Sequence, residues 1–221
     1  MDINEIVSRV DHTILKPEAV WTDVERVCNE AVKYNTASVC IPPSFVKRVR
    51  SAFPNLNICT VIGFPNGYNS PLVKEYEARM ALSDGADEID MVINIGLVKE
   101  GRYDEVLAEI LLIRDVCRDK ILKVIIETCL LNEEEKTEMC KVVTRAGADY
   151  IKTSTGFSSG GATRRDILLF KEHIGEAVKI KAAGGIKSLE DASDFIAFGA
   201  DRLGTSSIIR LIDGQKNENG Y

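Results

Sequence analysis

Gly85-Ala86-Asp87-Glu88-Ile89-Asp90-Met91-Val92 carries the pattern on which the fold is read. The glycine stops a helix, because without a Cβ it enters the left-handed conformation at a helix end at no steric cost. The apolar run behind it has the composition of a strand. The same signal returns at Gly147-Ala148-Asp149 and Gly199-Ala200-Asp201, each time before another β-like run. The three aspartates stand 62 and then 52 residues apart, which is two strand–helix units per interval at 31 and 26 residues per unit. Eight units of that size need roughly 200–250 residues, and the chain has 221.

Outward from these markers, β-like runs fall at residues 10–14, 37–41, 58–63, 88–94, 122–128, 150–154, 178–183 and 202–204. Helical stripes lie between them: Val24, Val27, Cys28, Ala31 and Val32 form one, and Tyr103, Val106, Leu107, Ile110 and Ile113 another. Thr22 with Glu25, Asn132 with Glu135 and Ser188 with Asp191 have capping-box spacing and predict helix starts. The expectation is an α/β chain folded as one (β/α)8 TIM barrel over residues 1–212, with a short N-terminal helix and a flexible polar tail over 213–221. The alternative, a doubly wound open sheet, calls for a glycine-rich phosphate loop after the first strand. Asp11-His12-Thr13-Ile14-Leu15-Lys16-Pro17 contains no glycine. Glycines gather late, at Gly156, Gly160, Gly161, Gly184, Gly185 and Gly204, which suits a barrel with a phosphate site after strands 7 and 8.

Composition excludes several classes of function. With 28 basic and 34 acidic residues, a net charge of −6 and no dense basic run, neither a nucleic acid nor a membrane surface is the expected partner. No apolar stretch approaches the roughly 20 residues of a membrane span, and residues 1–9 lack the apolar core of a signal peptide; the expected location is the cytoplasm. The six cysteines lie at least 11 residues apart without a C-x-x-C, so they read as reduced, mostly core residues. Two histidines, His12 and His173, cannot build a three-histidine metal centre. Neither a metal nor another cofactor is expected.

Charges inside strands are the informative residues, because an unpaired buried ion costs several kcal/mol. Asp90 stands within strand 4, Lys123 and Glu127 flank Val124-Ile125-Ile126, Lys152 follows Tyr150-Ile151, and Lys179 and Lys181 lie in strand 7. Charges pointing outward, or a purely structural ion network, would account for any one of them. Barrel chemistry, however, sits at the carboxyl ends of strands, where Asp90, Lys152 and Lys181 fall. Two neighbouring lysines have a specific use. One ammonium disfavours charge on the other, which becomes a nucleophile toward a carbonyl, while a carboxylate moves protons. Independently, Ala183-Gly184-Gly185-Ile186-Lys187-Ser188 and Gly204-Thr205-Ser206-Ser207 offer free amides and hydroxyls to a phosphate. A phosphorylated carbonyl compound beside an activated lysine points to aldol chemistry through a Schiff base.

Residues 149–157, 178–186 and 88–94, with the opening at 11–17 and the late 202–207, resemble the deoxyribose-phosphate aldolase family, and the likeness runs from about residue 8 to 208. The resemblance implies a metal-free class I aldolase on a (β/α)8 barrel that interconverts 2-deoxy-D-ribose 5-phosphate with D-glyceraldehyde 3-phosphate and acetaldehyde. It implies Lys152 as the Schiff-base lysine, Lys181 as the lysine that perturbs it and Asp90 as the proton relay. Gly184, Gly185, Ser206 and Ser207 would hold the phosphate, and Asp11, Thr13, Cys40, Lys123, Thr155, Gly156 and Gly204 would complete the substrate site. Lys123 fits an ion partner for Asp90, and Cys40 fits a core cysteine equally well. The chain departs from some members in placing Phe157 where they have a basic residue, so amides, hydroxyls or Lys187 must meet the phosphate charge. Tyr221, a lone aromatic ending a polar tail, is expected to relay a proton at the enamine carbon. The expected partner is a small phosphosugar, with a homodimer as the candidate assembly. Two rivals stay open: a non-catalytic phosphosugar-binding barrel with its lysines as anion contacts, and another lysine aldolase or transaldolase.

Overall fold

The computed structural model describes residues 2–214. Its eight strands are parallel and close into a barrel in sequence order. The succession is α1 Ile3–Val7, β1 Val10–Thr13, α2 Trp21–Tyr34, β2 Ser38–Ile41, α3 Val46–Ala52, β3 Ile58–Ile62, α4 Pro71–Ser83, β4 Glu88–Val92, α5 Ile95–Lys99 and α6 Tyr103–Cys117. It continues with β5 Ile121–Ile125, α7 Glu133–Arg145, β6 Tyr150–Lys152, α8 Arg164–His173, β7 Lys179–Ala183, α9 Leu189–Phe198, β8 Arg202–Thr205 and α10 Ile208–Ile212. The ring closes through β1 and β8, where Asp11 pairs with Gly204. The (β/α)8 expectation and the short N-terminal helix both hold.

The Gly-Ala-Asp triplets do more than stop helices. Gly85, Gly147 and Gly199 take φ of +107°, +65° and +123°. The aspartate that follows each one turns its carboxylate to the preceding strand. Asp87 accepts the Ile58 amide at 3.1 Å, Asp149 the Leu122 amide at 2.8 Å and Asp201 the Ile180 amide at 2.9 Å. The amino-terminal rim of the barrel is thereby tied at β3, β5 and β7, each carboxylate satisfying one strand amide.

Side-chain capping matches two of the three expected boxes. Asn132 and Glu135 exchange hydrogen bonds of 2.8 and 2.7 Å, and Ser188 and Asp191 two of 2.9 Å. Thr22 with Glu25 is not a box. Helix α2 is capped two residues earlier, at Val20, and Asp23 accepts the Val20 amide at 3.2 Å, so an acid in the first turn serves an end whose cap residue has no polar side chain. Several strands also end short of the apolar runs. Asn94, Glu127, Thr128 and Ser154 lie past the last paired residues, where barrel strands spread into loops.

The main core fills the space between strands and helices, with Val24, Ile89, Ile110, Val143 and Phe170 fully buried. A separate small apolar cluster of Leu15, Cys40, Cys59 and Val61, with Phe64 against it, occupies the β1–β3 side of the barrel. Five of the cysteines are buried, Cys129 is exposed, and all are free. Burial pushes the Cys28 and Cys140 thiols up to about 12 and Cys117 up to about 11, as expected of core residues.

Candidate active site

Adjacent strands bring the in-strand charges together. The register sets Asp90 beside Lys123 across β4 and β5, and Lys152 beside Lys181 across β6 and β7. Asp90 is the hub, with no solvent exposure. Its Oδ2 accepts from Lys152 Nζ at 2.8 Å and Lys181 Nζ at 2.7 Å, and its Oδ1 from Lys123 Nζ at 2.7 Å. Beneath this layer, Lys181 meets Asp11 at 2.5 Å, Lys123 meets Glu88 at 2.6 Å, and Arg202 reaches Asp11 at 2.5 Å.

The network holds four cations, Lys123, Lys152, Lys181 and Arg202, against three carboxylates, Asp11, Glu88 and Asp90. Burial works against charge on Asp11, Asp90, Lys123, Lys181 and Arg202, and the neighbours decide the outcome. Lys123, Lys152 and Lys181 overcome burial and hold Asp90 well below the usual carboxylate range. Lys181, Lys123 and Arg202 do the same for Asp11. Asp11 and Asp90 hold the Lys181 ammonium above its ordinary value, and Asp90 leads the groups that do so for Lys123. Lys123 and Lys181 are therefore fixed cations.

Lys152 differs in position. It is the member of the cluster that also lines the pocket at the carboxyl end of the barrel, and Thr13, Thr155 and Gly156 share that wall with it. Gly184, Gly185, Gly204, Ser206 and Ser207 form the side contributed by β7 and β8. Asp11, Lys123 and Lys181 lie below the pocket floor, in the ion network, and Cys40 lies in the small apolar cluster. Contact with Cys59 draws the Cys40 thiol down. Tyr221 is outside the described residues.

Local backbone geometry builds the pocket wall. Gly184 and Gly185 take φ of +76° and +78°, and a Cβ at Gly161 would stand 2.4 Å from the Gly184 carbonyl carbon. The loop after β6 thus packs directly on the loop after β7. Gly204 serves Lys181: a Cβ there would approach the lysine Cε to 3.1 Å. Glu127, at φ +52°, accepts the Thr155 amide at 3.2 Å and the Thr155 hydroxyl. Thr155 in turn receives the Phe157 amide at 3.1 Å, so a buried acid sets the turn that presents Gly156. Burial pushes Glu127 up from the ordinary carboxylate value. Phe157, next in sequence to Gly156, meets Phe64 edge to face, ring centroids 5.2 Å apart.

Sequence patterns point to Asp90, Lys123, Lys152 and Lys181 but do not single out Glu88, Arg202 or Leu15. Glu88 and Arg202 begin strands, where a charge ordinarily reads as a solvated end. His12, a lone histidine in the opening motif, turns to α2 and pairs with Glu30 at 2.6 Å. Two donor triads, Cys40–Cys59–Asp90 and Asp11–Cys59–Glu88, bring their atoms within 4.8 Å of one another. Their carboxylates are already engaged by lysine or arginine.

A family model described as DeoC/LacD family aldolase matches residues 6–207. The chain belongs to this aldolase family. It is 56% identical over 222 residues to the deoxyribose-phosphate aldolase of Clostridium botulinum (strain Eklund 17B / Type B), covering all of both chains. It is 54% identical to that of Streptococcus agalactiae serotype Ia, covering 100% of this chain and 99% of the relative. Among solved structures, the tetrameric deoxyribose phosphate aldolase of Aeropyrum pernix superposes with a TM-score of 0.87 at 31% identity, over 96% of this chain and 92% of that one. The aldolase QR15 superposes with a TM-score of 0.89 at 40% identity, over 92% of each chain. Among the described residues, no helix is long and apolar enough to cross a membrane.

Proposed function

We propose that this family member is a deoxyribose-phosphate aldolase of the Schiff-base type, cleaving 2-deoxy-D-ribose 5-phosphate reversibly to D-glyceraldehyde 3-phosphate and acetaldehyde. The observation that carries the proposal is the position of Lys152, one amine of a buried cluster that opens on the pocket while its neighbours Lys123 and Lys181 are held as cations. The names of the full-length relatives support the substrate.

The open-chain sugar presents its aldehyde to Lys152 and its phosphate to the amides of Gly184 and Gly185 and the hydroxyls of Ser206 and Ser207. Once Lys152 has given up a proton its amine attacks C1, and return of a proton to the carbinol hydroxyl lets it leave as water, giving the protonated imine. Removal of the C3 hydroxyl proton breaks the C2–C3 bond, its electron pair passing into the imine to leave an enamine, and glyceraldehyde 3-phosphate departs. Protonation at C2 and hydrolysis then release acetaldehyde and regenerate the amine. Asp90, bonded to both Lys152 and Lys181, is the carboxylate through which protons pass between the lysines and the pocket. Lys181 supplies a fixed positive charge through that shared carboxylate. The chemistry requires no metal as electron sink, and prolonged chelation is expected to leave turnover unchanged.

Borohydride in the presence of acetaldehyde tests the reading, since only an imine is reduced to a stable adduct. Intact mass should rise by one ethyl group located on Lys152, and Lys152→Arg should lose both trapping and cleavage. An adduct on Lys181 would reverse the two roles, and no adduct would leave a binding barrel without this chemistry.

A further inference from the structure

A second buried ion pair lies outside the barrel and outside the chemistry just described. Lys74 of α4 and Glu109 of α6 are 0% and 1% exposed along their side chains and meet at 2.6 Å. Burial draws both toward neutrality, Lys74 down and Glu109 up. An ion pair taken wholly out of water is no economical way to join two helices, because apolar residues of similar size do so at least as well. Its other hydrogen bonds show a different purpose.

Strands β3 and β4 are last paired at Ile62 and Met91. Just past that pair, three backbone groups are taken by helix side chains. Lys74 Nζ donates to the Val92 carbonyl at 2.7 Å, Glu109 Oε2 accepts the Asn94 amide at 3.1 Å, and Glu77 Oε2 accepts the Gly63 amide at 2.7 Å. The lysine stem runs along Gly63, where an added Cβ would stand 2.7 Å from Lys74 Cε. The loop that follows folds onto β4: the Gly67 amide donates to the Gly63 carbonyl at 2.7 Å, and a Cβ at Gly67 would come within 1.9 Å of the Ile93 carbonyl oxygen. Phe64 rides on this loop and meets Phe157, next in sequence to the pocket residue Gly156.

We infer that Lys74, with Glu77 and Glu109, is a positioning residue for the mouth of the active site: these side chains replace the β3–β4 ladder where the strands part, and so set where Phe64 stands against Phe157. The kinetic part of the inference rests on the proposed aldolase reaction. Lys74 touches no reacting atom. It acts through Phe64, so its removal alters substrate capture more than the chemistry at Lys152.

Lys74→Met keeps the stem over Gly63 and removes the ammonium. In the full chain, KM for 2-deoxy-D-ribose 5-phosphate should rise about tenfold, on the scale of a small misplacement in a binding site, while kcat changes less than about threefold. In a Phe64→Ala background the same substitution should add almost nothing to KM, because the element it positions is already gone. Backbone amide exchange over residues 63–70 should quicken about tenfold in Lys74→Met relative to the unaltered protein. This arm needs no activity, so it holds or fails separately from the assigned reaction. Should Lys74→Met not fold, Glu77→Leu, at a half-buried position, removes the Gly63 contact while leaving the Lys74–Glu109 pair in place and should give the same KM-weighted change at smaller size. An unchanged KM with only a lower Tm, independent effects of Lys74 and Phe64, or unaltered exchange at 63–70 would each overturn the inference.

Discussion

The two ends of the barrel handle charge in opposite ways. At the amino-terminal rim, Asp87, Asp149 and Asp201 are each assigned to one strand amide, and two of them also reach surface cations, as Asp149 reaches Arg114 at 2.6 Å. Their carboxylates remain partly in water; the Asp149 side chain is 42% exposed. At the carboxyl end, Asp90 is wholly buried and shared by three ammonium groups. A charge that serves one neighbour can be altered at the cost of that neighbour. A shared one cannot, because three ammonium groups lose a counter-charge out of water at once, and Lys152 loses the one carboxylate it is paired with.

The strongest test of this contrast is Asp90→Asn. It should lower turnover by about 10²–10⁴-fold, the range for losing a proton-transfer group. It should also cost about 3–5 kcal/mol of stability, as breaking a buried ion pair does. Stopped assays and denaturant unfolding on one preparation measure both. A stable, active variant would mean that the lysines do not depend on a common carboxylate. Asp149→Ala, at the opposite rim, should cost about 1–3 kcal/mol through the Leu122 amide left without its acceptor and leave kcat/KM within about twofold. A large kinetic loss there would show that the two ends are coupled.

A smaller effect should appear in acid. Asp11 and Asp90 have folded-state pKa values below those of the unfolded chain. The stability they contribute is thus complete above about pH 4 and is lost as pH falls toward the folded values. Tm measured from about pH 5 down to pH 3 should fall more steeply for the unaltered protein than for Asp90→Asn. Parallel curves would assign the acid sensitivity to other carboxylates, among them Asp87, which is also held low.

The same contrast separates what local pattern reveals from what it hides. Strand order and the in-strand charges are legible because barrel strands are apolar on both faces, so a lysine within one stands out. The helix-stopping role of each Gly-Ala-Asp glycine is legible for a similar reason, since a helix end is a local event. The aspartate beside it acts on an amide some 20–30 residues earlier, in the neighbouring strand, and no local pattern records that partner. Lys74 is hidden more deeply. It sits in an ordinary charged helix, Pro71-Leu72-Val73-Lys74-Glu75-Tyr76-Glu77, and only the parting of β3 and β4 explains its burial. The start of α2 is hidden for the same reason, since a backbone amide at Val20 asks only for an acceptor nearby and Asp23 supplies it.

Gly204 has a consequence for anyone redesigning this scaffold. The hydrogen it carries in place of a side chain is the socket for the stem of Lys181, with a would-be methyl 3.1 Å from Cε and 3.0 Å from Ala183 Cβ. Positions 181 and 204 therefore form a single unit in sequence space. A library that diversifies the β8 rim while holding Lys181 fixed asks the lysine stem and Ala183 to give by a few tenths of an ångström even for alanine at 204, and by more for every larger side chain, so the position is sorted first on how far Lys181 can shift and only then on new specificity.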